Sequence, residues 1–450
     1  MNIRDLVLSM LKEIYAGNEF SHILLRQVLE KYDYLEGNEK AFLKRLTEGT
    51  LERTLELDYV INQFSNIPVN KMKPLIRALM RMSVYQILYM DSIPDSAVCN
   101  EAVKLAALHK FTSLKGFVNG VLRNIVRNKE QITYPDREKE LKKYLSVTCS
   151  LPEWMVEHFI KEYGKDKAEE ICEGLLKERP VTVRVKESLS EEEKQQLLKS
   201  WEQQGILVRQ HPYLSYAYVL EKTEGVKHMA GFEEGYFTVQ DVSSMMVAHV
   251  AGIKPDMQIL DVCAAPGGKA THGAEKLKGT GQVLARDLTE YKVNFILENA
   301  DRLQLLNLWA EEWDACVFDE TKEEWADVVF CDVPCSGLGV MGKKRDIKYR
   351  LTQNNLKEVQ ELQRQILNTI WKYVKKDGIL MYSTCTINSE ENEKQVQWIV
   401  ENLPFEVVSM KEDLPEALKD AAEESNFGLQ LLPGIHETDG FFLCKLRRIR

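Results

Sequence analysis

The sequence predicts a multidomain chain: an all-helical N-terminal domain, a small α+β module, and a C-terminal doubly wound α/β domain with a mostly parallel sheet. Three observations carry this. Apolar residues recur at helical spacing from the start to about residue 128. An alternating run, VTVRV, follows Pro180. From about residue 236 onward, short β-rich apolar runs alternate with helical stretches, the pattern of parallel strands joined by crossover helices.

Each part can be justified in order along the chain. In residues 1–128, Leu6, Met10, Leu11 and Ile14 share one helical face, as do Leu75, Leu79, Met82 and Ile87, while Pro68, Pro74 and Pro94 punctuate the helices. The polar stretch 129–150, within NKEQITYPDREKELKKYLSVTCS, reads as a linker. Residues 151–235 form the small module. LPEWMVEHFIKEYGKDKAEEICEGLLKE reads as two short helices, followed by the strand VTVRV, the helix SEEEKQQLLKSWEQQ and the strand GILVRQ. In residues 236–450 the strands are MQILDVCAAP, GQVLARDL, ADVVFCDVP and GILMYSTC, with DGFFLCKLRR as a last one. A chain of 450 residues has room for about three domains of ~150 residues.

Composition narrows the class. With 44% hydrophobic and 28% charged residues, this is an ordinary globular sequence. No apolar run approaches the ~18 residues of a membrane span. The start, MNIRDLVLSMLKEIYAG, lacks the short apolar core and cleavage site of a signal peptide, so a cytoplasmic protein without membrane contact is expected. The nine cysteines form no CxxC pair and there is no histidine cluster of zinc spacing, so no metal is expected. In a reducing compartment Cys99, Cys172, Cys316, Cys331 and Cys444 read as small buried hydrophobes. The net charge of −10 argues mildly against a nucleic-acid partner, but it is uneven: residues 1–150 carry 22 basic and 18 acidic side chains. Between Ala102 and Lys129 there are six Lys/Arg and no acid, which nominates Lys115, Arg123 and Arg127 for phosphate contacts; the alternative is a solvated helix face.

The chemistry gathers at the predicted strand ends. The first α/β strand runs into DVCAAPGGKATHGAEKL, where Gly267 and Gly268 permit a tight turn and a close approach to a ligand before a helix begins. This is neither the GxGxxG of a dinucleotide site nor a Walker A loop. The second strand ends at Asp287, placed to hold the hydroxyls of an adenosine ribose or, alternatively, to cap a helix. Asp314, in EEWDAC, could face the adenine amino group. The fourth strand ends in Asp332-Val333-Pro334-Cys335, and the fifth, in MYSTCTINSEENE, at Thr384-Cys385. Two cysteines at neighbouring strand ends suggest one site; spacing alone leaves open which is the nucleophile.

DVCAAPGGK, DVPCSGLGV, YSTC followed by NSEEN, and the terminal DGFF resemble the motifs of RNA 5-methylcytosine methyltransferases of the NOP2/Sun class. AVCNEAVKLAALHKFTSLKGFVNGVLRNIV is similar to a NusB-type helical domain, and LPEWMVEHFIKEYG with GYFTVQDVSSMMV to the small pre-catalytic module of that class. The likeness covers nearly the whole chain. It implies a Rossmann-like class I methyltransferase domain with S-adenosylmethionine as cofactor, held by Cys263, Ala264, Ala265, Pro266, Gly267, Gly268 and Lys269 together with Asp287, Asp314 and Asp332.

The resemblance makes Cys385 the nucleophile and gives Cys335 a part in releasing the product. C5 of cytosine is a poor nucleophile, so a thiolate must first add at C6. Asp332 would then bond the base edge near N3, for which its pocket is expected to favour the neutral acid. Pro334 would pack on the base, which must leave its stack to enter the site. The basic run GVMGKKRDIKYR, with Lys343, Lys344, Arg345, Lys348 and Tyr349, is expected on RNA phosphates. Arg345 stands where the class usually has proline, and Ala270 and Gly273 where threonine and leucine are commoner. The NusB-like domain favours 16S rRNA or a small-subunit assembly intermediate as substrate for a monomeric enzyme. Transfer to tRNA or another rRNA cytosine, or a non-catalytic assembly factor, are the alternatives. An NAD-dependent oxidoreductase lacks its glycine fingerprint.

Overall fold

In the computed structural model, residues 2–177, 179–223, 225–421, 423–425 and 427–450 are described. The chain divides into two compact units, Met1–Lys177 with Met341–Arg350, and Glu178–Val340 with Leu351–Arg450. No helix among the described residues is long and apolar enough to cross a membrane.

The first unit is helical. Its helices are Ile3–Tyr15, Ser21–Lys31, Gly37–Glu52, Thr54–Phe64, Pro74–Tyr89, Asp95–Leu108 and Lys115–Arg127, followed by Leu141–Thr148 and Glu153–Leu176. The core forms where the predicted apolar faces meet: Leu11, Leu43, Leu46, Leu57, Leu79 and Leu122 have no exposed surface. Helix Pro74–Tyr89 is the centre; Pro74 sits in its first turn, where a missing N–H costs nothing. Gly49 is required by close packing, because a Cβ there would stand 2.0 Å from the Tyr85 hydroxyl. The stretch expected as a linker is partly structured. Leu145 and Val147 of helix Leu141–Thr148 are buried, and the Leu55 N–H donates to Ser150 Oγ at 2.8 Å, tying this stretch to helix Thr54–Phe64. The two short helices expected after Leu151 meet at Gly164, whose φ of 78° breaks an otherwise continuous run.

The second unit holds two sheets. β1 (Val181–Val185), β2 (Leu207–Gln210), β3 (Ala217–Glu221) and β4 (Phe237–Val239) pair antiparallel in the order β2-β3-β1-β4. Helix Glu191–Gln203 connects β1 to β2, begins in a reciprocal Ser190–Glu193 capping box, and packs Trp201 on Phe237.

The larger sheet contains β5 (Gln258–Asp261), β6 (Gln282–Asp287), β7 (Leu308–Glu312), β8 (Ala326–Asp332), β9 (Val374–Thr384), β10 (Phe405–Val407), β11 (Glu423–Ser425), β12 (Gly428–Leu431) and β13 (Phe441–Arg448). Its order is β11-β12-β13-β9-β8-β5-β6-β7, with β10 beside β13. β5 to β9 run parallel, and β13 lies antiparallel on β9. Both faces are covered: Ile259, Val283, Val328 and Met381 pack on one side, Leu260, Leu284, Val329 and Leu380 on the other. That is why these strands read as continuous apolar runs rather than alternating ones. The order reverses at β5, which lies between β6 and β8, so the crevice for a ligand opens at the carboxyl ends of these three strands.

Candidate active site

β5 delivers the first acid. Asp261 is 1% exposed and neither of its oxygens makes a hydrogen bond. Burial pushes its pKa up to about 7 against the pull of Lys269. The chain then turns through Cys263–Gly268. Gly267, with φ at 102°, precedes helix Gly268–Lys276, and a Cβ there would come within 3.3 Å of the Ile296 backbone. Cys263 is partly buried, and burial raises its pKa well above the usual range. The Ala264 N–H donates to the Arg286 carbonyl at 2.9 Å. Pro266 is exposed at the tip.

Asp287 ends β6 beside this turn. Its Oδ2 accepts from the Ala265 N–H at 2.9 Å, and its Oδ1 from the Leu288 N–H at 2.8 Å and Lys292 at 2.9 Å. Asp314 follows β7, is exposed, and accepts from the Cys316 N–H at 2.9 Å. Cys316 is itself only partly buried, less hidden than expected of a small hydrophobe.

β8 and β9 pair so that Asp332 lies opposite Ser383. Asp332 Oδ1 accepts from Ser383 Oγ at 2.9 Å, and Oδ2 lies 2.5 Å from Lys269 Nζ. Lys269 also rests over the Phe441 ring, 5.4 Å from its centroid. Burial works against the lysine's charge, but Asp332 outweighs it and raises the Lys269 pKa. Where the sequence reading placed Asp332 against the base edge, the structure gives it Lys269 and Ser383 as partners.

Beyond these strands the two cysteines come together. Cys335 Sγ and Cys385 Sγ are 3.2 Å apart and both are partly exposed, while Pro334 is exposed beside them. The contact with Cys385, followed by burial, holds Cys335 well above the usual thiol range. Either sulfur can donate in this contact, so the two thiols share one hydrogen-bonded site. The Gly339 N–H donates to the Cys385 carbonyl at 3.1 Å, and the Gly440 N–H to the Gly339 carbonyl at 3.0 Å. A Cβ on Gly339 would meet the Gly440 carbonyl at 1.9 Å, so the terminal DGFF motif is bound to the Cys335 loop by backbone contact.

The basic residues divide. Lys343 and Lys344 are exposed. Arg345 and Lys348, expected on RNA, are instead consumed inside the helical unit. Arg345 pairs with Glu48 at 2.9 Å and Glu52 at 3.1 Å. Lys348 is 4% exposed, donates to the Glu52 carbonyl at 2.8 Å, and is pushed by burial down to about 7. Tyr349 OH bonds Ser150 Oγ at 3.1 Å. On helix Lys115–Arg127, Arg123 and Arg127 are exposed and Lys115 half-buried, on the side away from Val118, Val121, Leu122 and Ile125.

Sequence reading did not single out Asp261, Ser383, Gln363 or Glu391. Asp261 had a signal: an acid closing the apolar strand Ile259-Leu260. Ser383 matters only through the register of β8 and β9.

A parallel sheet ordered β7-β6-β5-β8-β9 with antiparallel β13 beside β9, a glycine turn after β5 and acids at the next strand ends define an S-adenosylmethionine-dependent methyltransferase domain. The site fits that cofactor, since the unpartnered buried Asp261 carboxyl suits an ammonium and the 263–269 turn leaves backbone close to it. Family descriptions match in three blocks: the NusB family over residues 1–127, the ferredoxin-like domain of the RsmF/B-like methyltransferases over 151–227, and 16S rRNA methyltransferase RsmB/F over 249–447. The probable ribosomal RNA small subunit methyltransferase B of Bacillus subtilis (strain 168) is 37% identical over 451 residues, covering 99% of each chain. Its counterpart from Synechocystis sp. is 31% identical over 466 residues, covering all of both. The crystal structure of PH0851 superposes with a TM-score of 0.81 at 24% identity, over 100% of this chain and 99% of that one. The chain belongs to the RsmB/F family of small-subunit rRNA methyltransferases, with an N-terminal NusB domain.

Proposed function

We propose that the enzyme methylates C5 of a specific cytosine in 16S rRNA through a covalent adduct between Cys385 and C6 of the base. The observation that carries this reading is the pair of thiols 3.2 Å apart at the ligand edge, beside the Lys269–Asp332 pair. The small-subunit substrate follows from the names of the relatives.

The turn 263–269, with Asp261, Asp287 and Asp314, would hold S-adenosylmethionine, which supplies an electrophilic methyl group when bound. Cys385 adds as thiolate to C6, and the electron pair of the C5–C6 double bond moves to C5. Charge developing at N3 is met by the proton held between Lys269 and Asp332. Once C5 has taken the methyl group, whose bond to the cofactor's sulfur would break with its electron pair left on that sulfur as a neutral thioether, a base removes the C5 proton. The electrons return to the C5–C6 bond, and Cys385 leaves as a thiolate reprotonated from Cys335. Pro334 borders the base. Lys343 and Lys344, with Lys115, Arg123 and Arg127, contact RNA phosphates.

The test is transfer of labelled methyl from S-adenosylmethionine to a 16S rRNA transcript, with denaturing gels for a protein–RNA adduct. Cys385→Ser should lose at least about 10³-fold in rate and form no adduct. Cys335→Ser should accumulate one. The reverse pattern would make Cys335 the nucleophile, and transfer to tRNA alone would discard the substrate.

A further inference from the structure

The NSEEN stretch after Cys385 reaches back to the residue that follows Cys335. Glu391 has no exposed surface, and its carboxyl collects four neutral donors. Oε2 accepts from the Ser336 N–H at 2.8 Å and Gln363 Nε2 at 3.2 Å; Oε1 accepts from Ser336 Oγ at 2.5 Å and Asn388 Nδ2 at 2.9 Å. Ser336 directly follows Cys335. Gln363 Nε2 also donates to the carbonyl of Pro334, which directly precedes Cys335, at 3.0 Å. Both neighbours of Cys335 are therefore held by Glu391, one directly and one through Gln363.

The hold extends to the other thiol. Ser336 Oγ lies 2.7 Å from Oγ1 of Thr386, the residue after Cys385. With the Ser336 hydrogen engaged by Glu391, Thr386 is the donor in that contact. The Gly339 N–H on the Cys385 carbonyl closes the ring from the other side. A buried carboxyl served only by neutral donors is costly, and an apolar side chain would fill the space at less expense. What an apolar side chain could not do is accept simultaneously from the loops on both sides of the thiol pair.

We propose that Glu391 is a positioning residue that locks the Cys335 and Cys385 loops into one geometry, setting the distance between nucleophile and proton-donating thiol. This rests on the covalent reading above. A displacement of about 1 Å at a reacting group can cost ~10²-fold in rate.

The experiment compares full-length wild type, Glu391→Gln and Ser336→Ala. Glu391→Gln keeps the shape but turns an amide NH₂ toward groups that themselves donate; Ser336→Ala removes only the bridging hydroxyl. Three quantities are measured: kcat and KM for methyl transfer to the 16S rRNA transcript, S-adenosylmethionine affinity with the melting temperature, and the rate of Cys335–Cys385 disulfide formation by diamide, followed by mass spectrometry. In that reaction the two thiols lose two electrons and two protons to the N=N bond of the reagent. We expect kcat and the disulfide rate to fall together by about 10–100-fold in Glu391→Gln, and in the same direction in Ser336→Ala, with cofactor affinity and KM within about 2-fold. Loss of affinity and melting temperature in proportion to kcat in both variants would make Glu391 merely structural and overturn the proposal, as would unchanged disulfide rates. Because the disulfide rate needs no RNA, its dependence on Glu391 would stand even if wild type methylated no cytosine, so the two failures are distinguishable.

Discussion

Asp261 carries the largest electrostatic anomaly among the acids at the strand ends. An ordinary aspartate titrates near 3.8, whereas burial raises Asp261 to about 7. Between those values the folded chain keeps a proton that the unfolded chain has lost. Its contribution is therefore fully present below about pH 4 and is lost as pH rises through about 7. Thermal melts of the cofactor-free protein across this window should fall by up to ~4 kcal/mol more in wild type than in Asp261→Asn. The cofactor's ammonium favours the carboxylate, so S-adenosylmethionine should bind more tightly as pH rises over the same range, and Asp261→Asn should flatten that dependence. Equal melting curves for the two proteins would remove Asp261 from the cofactor site. The acids at 287 and 332 and both thiols were legible because each ends an apolar run. Asp261 ends β5 as well, but Val262 continues the apolar run past it and the glycine turn that follows drew the reading instead.

At the level of elements, the helix that follows the glycine turn is held from the small module. Arg184 lies in the middle of β1 and is 1% exposed. It bonds Glu275 at 3.0 Å, the Gly268 carbonyl at 3.0 Å, Thr271 Oγ1 at 3.2 Å and also Gln240. One side chain thus satisfies the start, middle and end of helix Gly268–Lys276, the helix that carries Lys269. Arg184→Ala would strand Glu275 in the interior and should cost ~3–5 kcal/mol. Denaturant unfolding checks this, and a loss below about 1 kcal/mol would mean that the helix stands unaided. The strand VTVRV was recognisable by alternation, but alternation does not say which of its faces is covered. Only the neighbouring helix makes that face an interior.

For the whole molecule, the instructive feature is the discontinuous helical unit. Met341–Arg350 leaves the methyltransferase chain just after the Cys335 loop and completes the helical unit, with Asp346 accepting from Ser21 N–H at 3.1 Å and Ser21 Oγ at 2.6 Å. Neighbouring basic residues in this segment should therefore behave differently. Arg345→Ala should lower stability by about 2 kcal/mol, because its pairs are partly rather than fully buried. The double change Lys343→Ala, Lys344→Ala should leave stability unchanged, weaken rRNA binding and reduce the salt dependence of binding by about 1.5–2 logarithmic slope units. Melting curves and salt titrations separate the two. A salt effect from Arg345→Ala without loss of stability would return it to the RNA surface.

The sequence by itself determined the element types and the helical and α/β parts, and it set two cysteines and an aspartate at neighbouring strand ends, because each of these depends on local periodicity or on where an apolar run stops. Tertiary structure decided which polar groups are partnered. The Lys269–Asp332 pair, the Ser336 and Gln363 donors on Glu391, and the burial of Arg184, Arg345 and Lys348 all join residues far apart in the chain. A lysine reads the same in sequence whether it meets phosphate, carboxylate or a helix carbonyl. Only the fold removes it from water and fixes its partner, and desolvation then sets what the charge is worth.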